Sequence, residues 1–200
     1  MKMPKVKGVA INGTREYIVN TFGREIWDSI LAEACERTGF KKIKSINSAL
    51  FYPLSLDMET IKILHEMKKE EDKNFQLSFM AGWVSADHNL SNVLKMVLRF
   101  LNYENLVQKF PWVWSQYYNQ GEVEVKVNKK EITIKVKNLQ LEKPYDYLLL
   151  GYFTKAGLMI GIDIKKSFHN NVVWQDNKTR LINEKLAECV AEGDSYGEWQ

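Results

Sequence analysis

The stretch EVEVKVNKKEITIKVKN, residues 122–138, decides the fold. Val123, Val125 and Val127 alternate with Glu122, Glu124 and Lys126, and Ile132, Ile134 and Val136 alternate with Glu131, Thr133 and Lys135. A period of two sends successive side chains to opposite faces, so this is a β-hairpin with one wet and one buried face. Asn128-Lys129 or a slightly longer loop turns it. Before it stand an apolar helical segment, FLNYENLVQKFP (100–111), and an aromatic run, WVWSQYY (112–118). After it comes PYDYLLLGYFTKAGLMIG (144–161), a helix expected to cover the hairpin's buried face.

Upstream, the period is that of helices. Residues 5–11 alternate weakly and predict a short strand or extended lead-in. Asn12-Gly13-Thr14 breaks that pattern and places Thr14 to cap a helix. Apolar residues at Tyr17, Ile18, Phe22, Ile26, Trp27, Ile30, Leu31 and Ala34 then give an amphipathic helix over 15–37, interrupted at Gly23. Cys35 lies by its apolar face and reads as a small buried hydrophobe. Tyr52-Pro53 predicts extended backbone at Tyr52. Asp57 is expected to cap a helix through Ile61, Leu64 and Met67, with KKEEDK (68–73) as its solvated end. Phe75 to Trp83 predicts another helix, and Asp87 or Asn89 starts one more through Leu101. Beyond the hairpin, 172–175 and 181–190 read as antiparallel strands, and 196–200 begins a last one. A chain that stops inside a strand reads as an excerpt of a longer one. The sum is an α+β fold: a helical N-terminal part (1–118) packed on a C-terminal antiparallel sheet (119–200) with a crossing helix, in a single domain.

The net charge of +3, from 28 basic and 25 acidic residues, is too balanced to imply nucleic-acid binding. Lys126, Lys129, Lys130, Lys135 and Lys137 cluster on the hairpin, where lysine keeps a sheet edge soluble. Cys35 and Cys189 form no CxxC pair and no zinc spacing, so a disulfide framework is not indicated and a reducing, cytoplasmic setting is expected. The N-terminus lacks the apolar core of a signal peptide. The longest apolar run, 147–162, is interrupted by Lys155 and is too short for a membrane span.

Helix, hairpin and helix in this order resemble the haem nitric-oxide/oxygen-binding (H-NOX) sensor domain. VKGVAINGTREYIVNTFGREIWDSIL (6–31) is similar to that family's N-terminus, and PYDYLLLGYFTKAG to its helix after the hairpin. LAECVAEGDSYGEWQ (186–200) is similar to the last strands of the related 4-vinyl reductase domain, in a wider group that includes trafficking-complex domains. Cys189 and Gly193 match there, but Tyr196-Gly197 replaces the second cysteine. The resemblance implies a single sensor-like domain, yet two haem features depart from it. Tyr103 stands where the axial histidine is expected, eight residues before Pro111. Asn138, Gln140 and Glu142 stand where a Tyr-x-Ser-x-Arg motif would grip haem propionates, and Glu142 would repel them. The expectation is therefore no cofactor. Haem stays open through Tyr103, since tyrosinate ligates iron in catalases, or through His88.

The three histidines read as structural or exposed: His65 near a helix end, His88 at a helix start, His169 at a strand end or turn. There is no phosphate loop, nucleophile elbow or HExxH, so no enzyme is expected. Three functions compete. The first is a haem-independent sensory domain whose helices and sheet enclose an apolar or amphipathic small molecule. Phe79, Trp83, Phe100, Tyr103, Trp112, Trp114 and Tyr152 would line the site, Tyr103 or a Trp N–H would orient the guest, and an attached or separate output domain would receive the signal. If those residues interlock with no void above roughly 100 Å³, far below ordinary ligand pockets, that reading of them fails. The second is a protein-interaction or homodimerisation module without a small ligand. The third is a haem-based gas sensor with a non-standard axial ligand.

Overall fold

The computed structural model describes residues 3–90, 108–127, 131–159, 171–176 and 179–185. The expectations placed on Phe100, Tyr103, His169, the hairpin loop, Cys189 and the last strand lie outside those residues. Among the described residues there are six helices and two antiparallel sheets.

β1 (Lys5–Lys7) pairs with β2 (Phe51–Pro53), Val6 opposite Tyr52. Tyr52 is extended, as a residue before proline should be. Next to β1 in sequence, α1 (Gly8–Phe22) is separated from α2 (Arg24–Thr38) by Gly23, whose φ of +93° suits glycine alone. The break expected at Asn12-Gly13-Thr14 does not occur, because α1 runs straight through it. Thr14 caps nothing; it is buried mid-helix against the core. Tertiary packing has overridden a local turn signal.

α3 (Leu54–Met67) also starts earlier than expected, with Pro53 at its N-cap. Proline's fixed φ opens the helix three residues ahead of Asp57, which leaves Asp57 inside the first turns and 1% exposed. The 68–73 segment is not all solvated either. Asp72 is fully buried, its Oδ2 lies 2.8 Å from His65 Nδ1, and its Oδ1 accepts the Leu77 N–H at 2.8 Å. Asp72 thus caps α4 (Gln76–Leu90). α4 continues through Asp87 and Asn89 instead of restarting there, and Asn89 Nδ2 donates back to Ser85 Oγ one turn earlier.

α5 (Phe110–Tyr117) has Pro111 in its first turn, where a missing N–H costs nothing. β3 (Glu122–Val127) and β4 (Glu131–Lys137) form the hairpin read from the alternation, Val125 opposite Ile134. Val123, Ile134 and Val136 are buried, while Glu124 and Lys137 pair on the wet face. α6 (Lys143–Met159) follows, then β5 (Asn171–Asp176) and β6 (Thr179–Lys185). The sheet order is β3-β4-β6-β5, antiparallel throughout. The α+β class and the crossing helix are as expected. What α6 crosses differs: its main partner is α4, and its contact with the sheet is minor. The two helices touch at Gly82 and Gly151, where a Cβ would lie 1.8 Å from Leu148 O and 1.9 Å from Phe79 O respectively. Only glycine permits backbones to approach so closely.

Candidate ligand cavity

The helical half encloses a cavity of about 40 Å³. α1 supplies Ala10 and Thr14, α3 supplies Asp57, and α4 supplies Ser85. α5 and its exit supply Phe110, Trp114, Tyr117 and Tyr118, and α6 supplies Tyr145, Leu148, Tyr152 and Phe153. The aromatic walls hold one another in place. Trp114 stacks on Tyr118 at 3.9 Å between ring centroids, and Phe153 lies 5.8 Å from Phe110 and 6.0 Å from Tyr152.

One charged side chain lines this cavity, Asp57. Its Oδ2 accepts the Tyr145 hydroxyl at 2.7 Å, and the Tyr118 hydroxyl lies 2.9 Å from that of Tyr145. Tyr145 has one proton and gives it to the carboxylate, so Tyr118 donates to Tyr145. The chain of hydrogen bonds ties α3, α6 and the exit of α5 together. Asp57 Oδ1 is buried and has no hydrogen-bond partner among the described residues. Burial lifts the Asp57 carboxyl from 3.8 to about 6, and the Tyr145 bond only partly counters that. Burial, followed by the negative charge of Asp57, holds both the Tyr118 and Tyr145 phenols well above their ordinary range. Burial does the same to Tyr152, with Tyr117 adding to it. Every phenol in the cavity keeps its proton at neutral pH.

Of the residues expected to line a site, Trp114 and Tyr152 do. Phe79 and Trp83 are half-buried on α4 and are not in the wall, and Trp83 carries Lys155 Nζ 5.1 Å from its ring centre. Trp112 is 59% exposed. Phe100 and Tyr103 lie outside the described residues. The Trp114 N–H, expected to orient a guest, instead donates to the Gln120 carbonyl at 3.2 Å. The one charged group in the wall is Asp57, a residue whose sequence context predicts a helix cap. No sequence signal marks it, because its partner Tyr145 stands 88 positions away, and Tyr118, which bonds Tyr145, stands 61 away. The volume also falls below the roughly 100 Å³ on which the expected pocket depended, so the described residues do not form that pocket, and the space present admits only a guest of a few heavy atoms.

His65 stacks on Phe75 at 4.5 Å, and Phe75 stacks on Tyr147 at 4.9 Å, away from the cavity wall. His88 is exposed in the last turn of α4, not at a helix start. It borders an open polar cleft of about 330 Å³ between α1, α2 and the 44–48 loop. Charges of both signs line that cleft, and Arg24 and Asp28 pair one turn apart along α2 at 3.7 Å, so it lacks the single buried charge that marks the cavity. Glu142, expected to repel a propionate, pairs with Lys62 at 3.2 Å.

This arrangement of helices and sheet is that of the H-NOX domains. The chain matches an Fe(II) unliganded H-NOX protein mutant from K. algicida at TM-score 0.66 and 13% identity, over 92% of this chain and 98% of that one. It matches an H-NOX protein from S. oneidensis in the Fe(II)NO state at 0.64 and 14%, over 90% and 99%. An oxygen-binding H-NOX domain related to soluble guanylate cyclases follows at 0.58 and 14%, over 95% and 100%. At such identities the likeness establishes the fold: the chain has an H-NOX-like fold. No protein-family profile matches the sequence. A comparison with curated proteins also finds no match.

Haem, implied by this fold, can be tested against the residues present. The cavity's described walls contain no histidine, their only charge is an acidic one, and about 40 Å³ is far below the roughly 300–1,000 Å³ of cofactor pockets. The described residues do not fit a porphyrin there. Among those residues no helix is long and apolar enough to cross a membrane.

Proposed function

We propose that this chain is a haem-independent, ligand-sensing regulatory domain that acts by binding and not by catalysis, in the cytoplasm. A small amphipathic molecule occupies the aromatic cavity and meets Asp57. The observation that carries this reading is the buried carboxylate with one oxygen open, joined by Tyr145 and Tyr118 to two other elements. A guest that engages Asp57 changes what Asp57 offers Tyr145, and so where Tyr118 rests. Tyr118 is also bridged to Val6 of β1, and Asn119 N–H donates to the Lys5 carbonyl at 3.1 Å. Occupancy is thereby transmitted to the β1–β2 ribbon and on to an output domain, attached or separate.

Native mass spectrometry of the freshly purified chain, with an absorbance spectrum, tests this. The expected result is a small bound mass, lost in Asp57→Asn, and no Soret band. A haem adduct overturns it. So does a bare chain whose melting point no small molecule moves.

A further inference from the structure

The cavity combines features that select one chemical class. Its wall is built largely of aromatic rings, chiefly Trp114, Tyr118, Tyr145 and Phe153. Its one charge is the carboxylate of Asp57, 1% exposed, with Oδ1 unsatisfied among the described residues. An ionised carboxylate out of water, with a partner on one oxygen only, is costly until a positive or hydrogen-donating group meets the other. Aromatic faces attract organic cations through their ring quadrupoles and are poor at replacing the water shell of a metal ion. Calcium or magnesium would need several more oxygen ligands, and among the described residues no group of three acidic, histidine or cysteine side chains gathers to hold a metal. A single water needs roughly 10–15 Å³, so about 40 Å³ admits a guest of a few heavy atoms.

We propose that the cavity is a receptor for a small protonated amine, ammonium or a methylated ammonium, whose N–H donates to Asp57 Oδ1 among the aromatic rings of the wall. This deepens the sensing reading and rests on it. The groups that face Asp57 are the Tyr145 phenol from α6 and the Tyr118 phenol at the exit of α5. Thr14 of α1 and Ser85 of α4, also in the wall, do not titrate. Both phenols hold their protons at neutral pH, so Asp57 alone sets the pH dependence of binding.

Methylammonium chloride is the probe, with sodium chloride at equal ionic strength as reference, read by thermal unfolding of the full chain at pH 7.5 and pH 4.5. At ten times its Kd the amine should raise Tm by about 3–5 °C at pH 7.5. That rise should vanish in folded Asp57→Asn. In the wild type it should vanish at pH 4.5, where the carboxyl is protonated, so the result does not hang on the variant folding. No rise up to 100-fold the concentration of protein sites and beyond into the ~0.1 M range overturns the amine, as does an equal rise in Asp57→Asn or with methanol. If methylammonium fails while native mass spectrometry finds another small bound mass, the amine falls and the sensing reading stands. If neither binds, both fall.

Discussion

The Tyr145 hydroxyl meets Asp57 Oδ2 at 2.7 Å across 88 positions of sequence, and it is the only hydrogen-bond partner of that carboxyl among the described residues. Removing it with Tyr145→Phe leaves both carboxylate oxygens bare. The variant should lose about 1.5–3 kcal/mol in urea unfolding at pH 7, the range for a bond to a charged group. A loss under about 0.5 kcal/mol would mean that the bond contributes nothing to stability.

Asp57 also sets a pH dependence of known sign. Its carboxyl titrates at about 6 in the folded chain against 3.8 in its ordinary state. The folded chain therefore holds this proton more tightly, and the contribution is fully present below about pH 4 and lost as pH rises through about 6. The difference amounts to about 3 kcal/mol. Asp57→Asn removes it. Measured side by side in urea, the variant should gain about 3 kcal/mol on the wild type between pH 4 and pH 8. A gap that stays constant over that range would refute the assignment.

Two tryptophans two positions apart should behave oppositely. Trp112 is 59% exposed, so Trp112→Ser should change stability by no more than about 0.5 kcal/mol. Trp114 is 5% exposed, stacked on Tyr118 and bonded to the Gln120 carbonyl. Trp114→Ala should cost about 3–5 kcal/mol. Equal effects in chemical denaturation would show the α5 face to be wrongly assigned.

At the helix crossing, Gly151→Ala would place a methyl 1.9 Å from the Phe79 carbonyl oxygen, against main chain that cannot swing aside. The cost should reach about 3 kcal/mol, the upper end of overpacking, and lower Tm by roughly 6–12 °C for a chain of this size. An unchanged melting curve would disprove the contact.

The hairpin was legible because its period of two runs through both strands without interruption, and α6 because a long apolar run follows directly on Pro144. Helix starts were less legible. Asn12-Gly13-Thr14, Asp57 and Asp87 all carry the residue types of turns and caps, but each lies within a helix fixed by what it packs against. Gly13 is there for space: a Cβ would come within 2.1 Å of Ser85 Oγ. The aromatic surplus pointed to a lined site and brought in Trp114 and Tyr152. It could not tell them from exposed Trp112, since both tryptophans fall on one short helix. Asp57 was invisible as a site residue because a lone carboxylate shows its role only when its distant partners are known.

The crossing of α4 and α6 has one more consequence. Leu148, Leu149, Tyr152 and Phe153, which flank Gly151 along the helix, all face the cavity. The separation of two helices follows the bulk of the residues at their contact. Two absent methyl groups, at 82 and 151, therefore set how close α4 stands to the helix that carries these wall residues. A cousin with alanine or serine at both points would have to stand its helices further apart, so the position of the chamber's wall can be graded by atoms outside it.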